Sequence, residues 1–385
     1  MKKAVVVGGS NGMGLAVSSG LIERGYFVNV LDRNEGDLKL LPEGSYEYTH
    51  CDLLEFDEDL FETLAADKDV EVLFISAGIG RIADFKAHHI AEIDKIFEID
   101  TVTALKIIRI FYDRMLDTEK FYTGCMGSIS GWMSSPAASV YAGAKAGLVR
   151  TIESVNIELE VSGTPNRILD VSPASFKGSK FGGGNNDLSL TGPLAGEILE
   201  HLFAGDTLFI PQYEETFKGV LERYHNDAHE YGLHSYQYKK DSGRLDNGKK
   251  VVIGYLAGTF DLFHVGHLNL LRRAKEHCDY LIVGVHDSGA WKGKETFIPL
   301  EERKAIVASC RYVDKVVDSC REDCDAWPIY HYDRLFVGSD YKGSERFNRY
   351  EEYFKDKGVE IIYFPYTQGT SSTQIRDAII SKTVK

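Results

Sequence analysis

Few features of the sequence fit a secreted or membrane-embedded protein. Its six cysteines are too sparse and too scattered over 385 residues for a disulfide-rich scaffold. No apolar stretch approaches the roughly 20 residues of a membrane-spanning helix. The apolar run after Lys2 and Lys3 ends at Gly8, well short of the core of a signal peptide. These shortages predict a cytoplasmic protein with reduced thiols and no membrane partner.

Positive charge is also in short supply. The chain has 44 lysine and arginine residues against 58 aspartate and glutamate residues, a formal net charge of −14. This balance argues against general binding to nucleic acid or anionic membranes. It does not exclude local basic pockets that bind small phosphates. Cys320 and Cys324 have no second ligand pair at metal-site spacing, so no metal site is predicted. The expected partners are small-molecule substrates.

Strands and helices alternate in two separate series along the chain. Buried parallel strands are predicted at Lys3–Val7 and Val70–Ser76, and the pattern restarts with a strand at Val251–Leu256. Between the two series, residues 226–249 are polar and turn-like, with no sustained apolar run. The sequence therefore predicts an α/β protein with two doubly wound parallel-sheet (Rossmann-like) domains in tandem. The predicted domains are 1–225 and 250–385, joined by a linker at 226–249.

The first predicted strand leads into a glycine-rich turn and then a helix. Glycines here allow a tight turn and let the backbone approach a pyrophosphate at the helix N-terminus. Asp32 closes the next strand, where a carboxylate can hold the 2′-hydroxyl of an adenosine ribose. The pattern predicts a dinucleotide, NAD or NADP, with NAD favoured by Asp32 although the neighbouring Arg33 could accept a 2′-phosphate. The residues of the turn assigned to the cofactor are Gly8, Gly12, Met13 and Gly14.

A tyrosine and a lysine are placed for proton transfer. Tyr141 and Lys145 are four residues apart in a predicted helix, so they share one face. A nearby ammonium favours the phenolate, and such a tyrosine can exchange a proton with a carbonyl or an alcohol near neutral pH. Ser128, 13 residues before the tyrosine, is expected to hydrogen-bond the substrate oxygen. These three residues are the predicted catalytic group of the first domain.

With these motifs, residues 1 to about 215 resemble a short-chain dehydrogenase/reductase. The resemblance implies hydride transfer between NAD(P)H and a carbonyl carbon, and a homo-oligomer (dimer or tetramer). Three residues depart from the family pattern: Ser76 and Ala174 replace a usual asparagine and glycine, and Asp100 stands where a proton-relay asparagine normally lies. The further cofactor-binding residues that the resemblance implies are Asp52, Ala77, Gly78 and Pro173.

The second domain has two segments that suit phosphate groups. His264 and His267 follow a strand end of sequence Gly-Thr-Phe-Asp and open a helix, where backbone amides favour anions. Near the end of the chain, Thr370 to Thr373 place hydroxyls at a predicted helix start. This second segment is either a further phosphate cradle or an ordinary helix cap, and both can hold at once.

Residues 250–380 closely resemble the cytidylyltransferases of the glycerol-phosphate type. The resemblance implies that an acceptor phosphate attacks the α-phosphorus of CTP, with Mg²⁺ on the triphosphate and stabilising side chains around the pyrophosphate. The implied catalytic residues are His264, His267, Lys292 and Lys294. The implied nucleotide-binding residues are Thr259, Phe260, His264, His267, Lys294, Arg303, Thr370, Ser371, Ser372 and Thr373, and the implied acceptor-binding residues are Asp287, Arg311 and Tyr366. Tyr366 and Ser339 depart from the family pattern on the acceptor side.

Joined in one chain, the two resemblances suggest consecutive reactions. The first domain would reduce a keto-sugar phosphate to an alditol phosphate, and the second would attach CMP. The product would be a CDP-alditol such as CDP-ribitol or CDP-arabinitol, used in surface polysaccharide synthesis. Two alternatives stay open: a reductase that acts on a CDP-linked sugar after CMP transfer, and a non-catalytic, NAD-sensing first domain that regulates the transferase. Ser76 and Asp100 keep the second alternative open, whereas Tyr141 argues against it.

Overall fold

The computed structural model describes residues 2–179, 184–245, 252–288 and 296–365. The chain forms two compact units, Met1–Gly248 and Lys249–Lys385. Each unit has its own parallel sheet and its own helices, so each is treated separately below. No helix of the described ranges is long and apolar enough to cross a membrane.

The first unit is built on a seven-stranded parallel sheet. Its strands are β1 Lys3–Val7, β2 Phe27–Asp32, β3 Tyr46–His50, β4 Val70–Ile75, β5 Tyr122–Met126, β6 Ile168–Val171 and β7 Leu208–Phe209. The strand order is β3-β2-β1-β4-β5-β6-β7, which changes direction between β1 and β4. Ligands of open α/β sheets bind at the carboxyl ends of the strands, beside such a change of direction.

Helices cover both faces of this sheet. They are α1 Gly12–Glu23, α2 Glu58–Ala66, α3 Ile90–Phe97, α4 Thr103–Ile110, α5 Tyr112–Leu116, α6 Ser139–Val161, α7 Leu188–Ala204, α8 Lys218–Asn226 and α9 Ala228–Asp241. Strand β4 shows why both faces need cover, because Phe74 packs in one apolar cluster and Leu73 in the other. Between α3 and α4, residues Glu98–Val102 form a π-helical turn.

The predicted linker is wrong over most of its length. Residues 228–241 form α9, whose first turn is capped by the Asp227 side chain accepting a hydrogen bond from the Glu230 backbone N–H. The helix bonds to the first unit through two phenols: Tyr231 Oη lies 2.9 Å from Met133 Sδ, and Tyr236 Oη donates to Asp84 Oδ1 at 2.8 Å. The segment is polar because these contacts are polar, and it belongs to the first unit.

The second unit has a smaller sheet of the same kind. Its strands are β8 Ile253–Gly258, β9 Tyr280–Val285, β10 Lys315–Asp318, β11 Arg334–Gly338 and β12 Glu360–Phe364, in the order β10-β9-β8-β11-β12. Its helices are α10 Val265–Glu276, α11 Leu300–Ala308, α12 Asp323–Tyr330 and α13 Glu345–Phe354. The direction changes at β8, whose carboxyl end leads into the predicted histidine segment. The prediction of two tandem doubly wound parallel sheets is confirmed.

Candidate active sites

The glycine turn after β1 is shaped for close backbone contacts. Gly8 has φ +78°, and a Cβ atom on it would lie 2.6 Å from the backbone N of Ala77. A Cβ on Gly14 would lie 2.1 Å from the carbonyl oxygen of Gly8. Neither position accepts another residue without moving the backbone, so these glycines set the turn that brings the N-terminus of α1 to the carboxyl end of β1.

The predicted ribose carboxylate is held in place by its neighbours. Asp32 Oδ2 accepts hydrogen bonds from the backbone N and the Oγ of Ser10, at 3.2 and 2.7 Å. Asp32 Oδ1 accepts from the backbone N of Arg33 at 2.8 Å, while the Arg33 side chain is exposed. A carboxylate fixed at the end of β2, close to a glycine-rich helix start, fits a dinucleotide with a free ribose hydroxyl.

The remaining cofactor candidates lie at the same edge of the sheet. The backbone N of Ala77 donates to Val7 O at 3.1 Å, directly after β4. Pro173, just past β6, accepts through its carbonyl from Ile129 N at 3.1 Å. Asp52 follows β3, and Gly78 follows Ala77. Met13 lies on α1, which follows β1. Contacts of these residues with a cofactor stay a prediction.

Asn186, which sequence reasoning missed, contacts the glycine turn. Its Oδ1 accepts from the backbone N of Gly12 at 2.9 Å, and its Nδ2 donates to Asn11 Oδ1 and Asp37 Oδ2 at 3.0 and 2.7 Å. Gly12 N–H is one of the amides at the start of α1 that suit an anion. The segment before α7 therefore reaches the place where a pyrophosphate would lie.

Tyr141 and Lys145 lie on one face of α6, as predicted. Lys145 Nζ is 5.9 Å from the centre of the Tyr141 ring, and the lysine is only 2% exposed. The ammonium donates to Met126 O at 2.9 Å, at the end of β5. Ser128 is buried two residues past that strand, and its Oγ accepts from Ser130 N at 3.2 Å. The fold thus brings the three predicted catalytic residues to one end of the sheet.

Asp100 forms an ion pair that sequence reasoning did not foresee. Its Oδ2 lies 3.4 Å from Lys145 Nζ, and both side chains are buried. Its Oδ1 accepts from Ile79 N at 2.7 Å, which anchors the π-helical turn to the loop after β4. Burial lowers the pKa of Lys145, but Asp100 together with Tyr141 and Cys125 raises it by more, so the net direction is upward. Lys145 therefore keeps its proton in the closed interior.

Asp100→Asn should move the alkaline limb of the pH–rate profile for ketone reduction to lower pH. The carboxylate partly cancels the field of the Lys145 ammonium at the Tyr141 phenol, and an amide would not. We expect the alkaline limb to shift by about one pH unit, because a buried unit charge on a neighbouring side chain has an effect of that order. The amide oxygen can still accept from Ile79 N, so the loop stays in place. Initial rates measured between pH 6 and 11 check this, and an unchanged limb would refute the electrostatic role of Asp100.

The histidine segment of the second unit is built around the start of α10. His264 is the N-cap of the helix, and its Nδ1 accepts from Gly266 N at 3.0 Å. The His264 and His267 rings stack with centres 4.1 Å apart. Burial lowers the pKa of His267 to about 4, with a further contribution from His264. Without a ligand, His267 is neutral at pH 7, so it offers a hydrogen bond to a phosphate rather than a full charge.

Arg303, predicted to contact the nucleotide, is bonded to several backbone carbonyls of the protein. It is completely buried, and its guanidinium donates to the carbonyl oxygens of Ile298, His286 and Asp287 at 2.8 Å each, and also to that of Thr259. Four of its N–H donors are therefore used within the protein. These bonds could not be read from the motif position, and a contact of Arg303 with the nucleotide stays a prediction.

Asp261 is a second anchor that sequence reasoning missed. Its carboxylate accepts from the backbone N of Phe297 at 3.1 Å and of Ile298 at 3.0 Å. It therefore ties the loop after β8 to the segment before α11. The residue stands in the Gly-Thr-Phe-Asp signature, and an acidic side chain among phosphate-binding residues was the available signal.

The other predicted residues of the second unit are placed as follows. Phe260 has φ +49° and is 2% exposed, with its ring centre 5.3 Å from that of His267, so its side chain supports the histidine. Asp287 and Arg311 are exposed, and the Arg311 guanidinium lies 5.2 Å from the ring of Tyr312. Lys292, Lys294, Tyr366, Thr370, Ser371, Ser372 and Thr373 lie outside the described residues. Within the described ranges, no cluster of three or more acidic, histidine or cysteine side chains could hold a metal ion.

These geometries define two classes of site: a dinucleotide-dependent oxidoreductase in the first unit and a nucleotidyltransferase in the second. A short chain dehydrogenase family model matches residues 2–182, and a cytidylyltransferase-like family model matches residues 255–378. A short-chain dehydrogenase structure from Streptomyces avermitilis covers 63% of this chain and 100% of its own, with TM-score 0.50 and 20% identity, a likeness of fold.

Curated relatives cover the second unit. The glycerol-3-phosphate cytidylyltransferase of Bacillus subtilis is 37% identical over 134 residues, which are 34% of this chain and 97% of that protein. The Staphylococcus aureus protein of the same name is 36% identical over 143 residues, 35% of this chain and 99% of that protein. The chain belongs to the cytidylyltransferase family through its second unit, and its first unit is a short-chain dehydrogenase domain. It is a bifunctional enzyme.

Proposed function

We propose that the first unit reduces a keto-sugar phosphate with NAD(P)H and that the second transfers CMP from CTP to the resulting alditol phosphate. The observation that carries the proposal is one chain holding both a Ser128–Tyr141–Lys145 group beside a dinucleotide turn and a stacked His264–His267 pair at a helix start. The similarity to proteins named glycerol-3-phosphate cytidylyltransferase supports a polyol phosphate as acceptor. The product would be a CDP-alditol.

In the reductase, the cofactor supplies the hydride and the protein supplies the proton. Tyr141 donates its phenolic proton to the carbonyl oxygen of the substrate, and Ser128 donates a hydrogen bond to the same oxygen. Lys145, held by Met126 O and Asp100, stabilises the negative charge left on the phenol. Ser128 and Lys145 are buried, and burial strengthens these electrostatic interactions.

In the transferase, the acceptor needs no general base because its phosphate is already anionic. A phosphate oxygen forms a bond to the α-phosphorus of magnesium–CTP, and the bond to the pyrophosphate leaving group breaks. His264 and His267 donate hydrogen bonds to the phosphate oxygens on which charge accumulates, and α10 presents its N-terminal amides beside them. Lys292 and Lys294 are proposed to supply the positive charge.

The proposed setting is the synthesis of a surface polysaccharide that uses CDP-ribitol or CDP-arabinitol as donor. Incubation with CTP, Mg²⁺, NADH and a panel of ketose phosphates, followed by mass spectrometry of the nucleotides, tests it. We expect a CDP-alditol two mass units heavier than the CDP-ketose. Order-of-addition assays separate this from reduction of a CDP-linked sugar. NADH binding without oxidation of NADH in any mixture would instead identify a regulatory first unit.

NADH should be a better cofactor than NADPH. The fixed Asp32 carboxylate repels a 2′-phosphate and accepts from a ribose hydroxyl, and Arg33 is exposed beside it. We expect kcat/KM for NADH to exceed that for NADPH by at least about tenfold, the effect of an unfavourable contact of ~1.4 kcal/mol. Arg33→Ala should change the NADH value little. A preference for NADPH that is lost in this variant would show that Arg33 governs the choice.

A further inference from the structure

The loop that precedes the catalytic helix carries an unusual contact with α9. Residues 132–138 connect the Ser128 segment to α6, the helix of Tyr141. Lys239, near the end of α9, donates hydrogen bonds from Nζ to Ser135 Oγ and to Pro136 O, each at 2.7 Å. The ammonium thus lies on the loop a few residues before the proposed proton donor.

Within the described residues, the Lys239 ammonium bonds only to neutral groups. Both acceptors are neutral oxygens, and one of the three N–H donors of the ammonium is left over. In the ranges described by the structure, no carboxylate pairs with Lys239. Burial, with a smaller contribution from the Arg244 guanidinium, lowers the pKa of Lys239 to about 8. At neutral pH the group is a half-buried cation beside a second cation, which is costly unless an anion binds.

The same loop borders the Tyr141 ring through a neighbouring segment. Ala137 O accepts from Ala83 N at 2.6 Å, which joins residues 132–138 to the loop after β4. A Cβ on Gly80, in that second loop, would lie 2.5 Å from Cδ2 of Tyr141. Helix α9 contacts both loops, since Tyr236 donates to Asp84. Lys239 is therefore bonded to the loop that leads into the helix of Tyr141, and that loop is bonded to the segment that packs on the Tyr141 ring.

We propose that Lys239 binds the phosphate group of the reductase substrate beside the loop of residues 132–138, with Ser135 Oγ as a second donor and Arg244 adding to the attraction. The site accepts a phosphate monoester whose ketone reaches Tyr141. The inference rests on the proposed function, because it names the group by which the keto-sugar phosphate is distinguished from a free ketose. A phosphate bound here supplies the missing counter-charge and uses the free N–H donor.

The test compares Lys239→Gln with Lys240→Gln, a matched change at an exposed neighbour on the same helix. The glutamine amide can still donate to the loop, so Lys239→Gln removes the charge and keeps α9 in place. We expect KM for a five-carbon 2-ketose phosphate to rise about 30-fold, the size of a lost charge-assisted hydrogen bond. KM for the matching free ketose should stay within about twofold because the free ketose carries no phosphate, and kcat and KM for NADH should do so because its pyrophosphate is assigned to the glycine turn. Competitive inhibition by inorganic phosphate should weaken by the same factor as ketose phosphate binding.

Each other result has a distinct meaning. Equal losses with ketose phosphate and free ketose would show that Lys239 only holds α9 on the loop and would overturn the phosphate site. Unchanged inhibition by inorganic phosphate in Lys239→Gln would overturn it as well. A wild-type enzyme that reduces free ketoses but no ketose phosphate would refute the proposed substrate itself, and the Lys239 site with it. Circular dichroism and the thermal midpoint of each variant confirm that the fold is retained.

Discussion

Tyr141→Phe should lower NADH-dependent reduction of the ketose phosphate about 1,000-fold. A positioned general acid contributes roughly 10²–10⁴ in rate, and phenylalanine keeps the ring while removing the proton. In the described part of the first unit, the Tyr141 phenol is the group that lies on the helical face of Lys145. The loss should fall on kcat, because the substitution leaves the cofactor turn and the Lys239 region unchanged. Stopped-flow or steady-state oxidation of NADH at 340 nm measures it.

The same variant carries its own control. Cytidylyl transfer from CTP to a supplied alditol phosphate takes place in the second unit, so its rate should stay within about twofold of the wild-type rate. Tyr213→Phe, at a half-exposed phenol outside the candidate site, should leave both activities intact. Reductase turnover within a few-fold of wild type in Tyr141→Phe would mean that another group supplies the proton.

His267→Ala should lower cytidylyl transfer at least ~100-fold. Loss of one donor to a developing phosphate charge costs on the order of 3 kcal/mol in sites of this kind. His267 also packs between Phe260 and Phe263, with ring centres 5.3 and 5.4 Å away, so alanine leaves the aromatic wall without support. Release of radiolabelled pyrophosphate, or its coupled detection, measures the rate with CTP and glycerol 3-phosphate or a five-carbon alditol phosphate.

A conservative variant separates chemistry from packing at this position. His267→Gln retains a donor of similar reach, so part of the activity should return relative to alanine. NADH oxidation by the first unit should be the same in both variants. Transfer at nearly the wild-type rate in His267→Ala would show that His264 and the α10 amides suffice, and that His267 is a packing residue.

Short sequence motifs predicted those parts of the two sites whose geometry is set by a few neighbouring residues. The glycine turn and the Tyr141–Lys145 spacing translate directly into one backbone conformation and one helix face. The bonds of Arg303 to backbone carbonyls were not predicted, because the direction of its side chain depends on Thr259, His286 and Asp287, which are distant in sequence. Helix α9 was missed because its contacts are polar, so it lacks the apolar stripe by which surface helices are recognised.

The departure at Asp100 shows a different limit. The sequence marks the residue as unusual, and a carboxylate in place of an amide suggested a lost function. Only the fold shows that its oxygens are divided between Ile79 N and the Lys145 ammonium. The effect of Asp100 on catalysis therefore depends on how much it weakens the interaction of the Lys145 ammonium with the Tyr141 phenol.

The buried Arg303 guanidinium also governs how the second unit can fluctuate. It donates to carbonyls of three segments: the loop after β8, the segment after β9 and the segment before α11. Asp261 forms a further link between the first of these segments and the third. None of these segments can open alone without stranding a charge in the interior, so they open together as one cooperative unit. We therefore expect the backbone amides of the three segments to exchange slowly and at similar rates. The segments that carry Thr259, His286 and Ile298 are therefore tied to one side chain, and the stability of that side chain's bonds sets how often the segments separate.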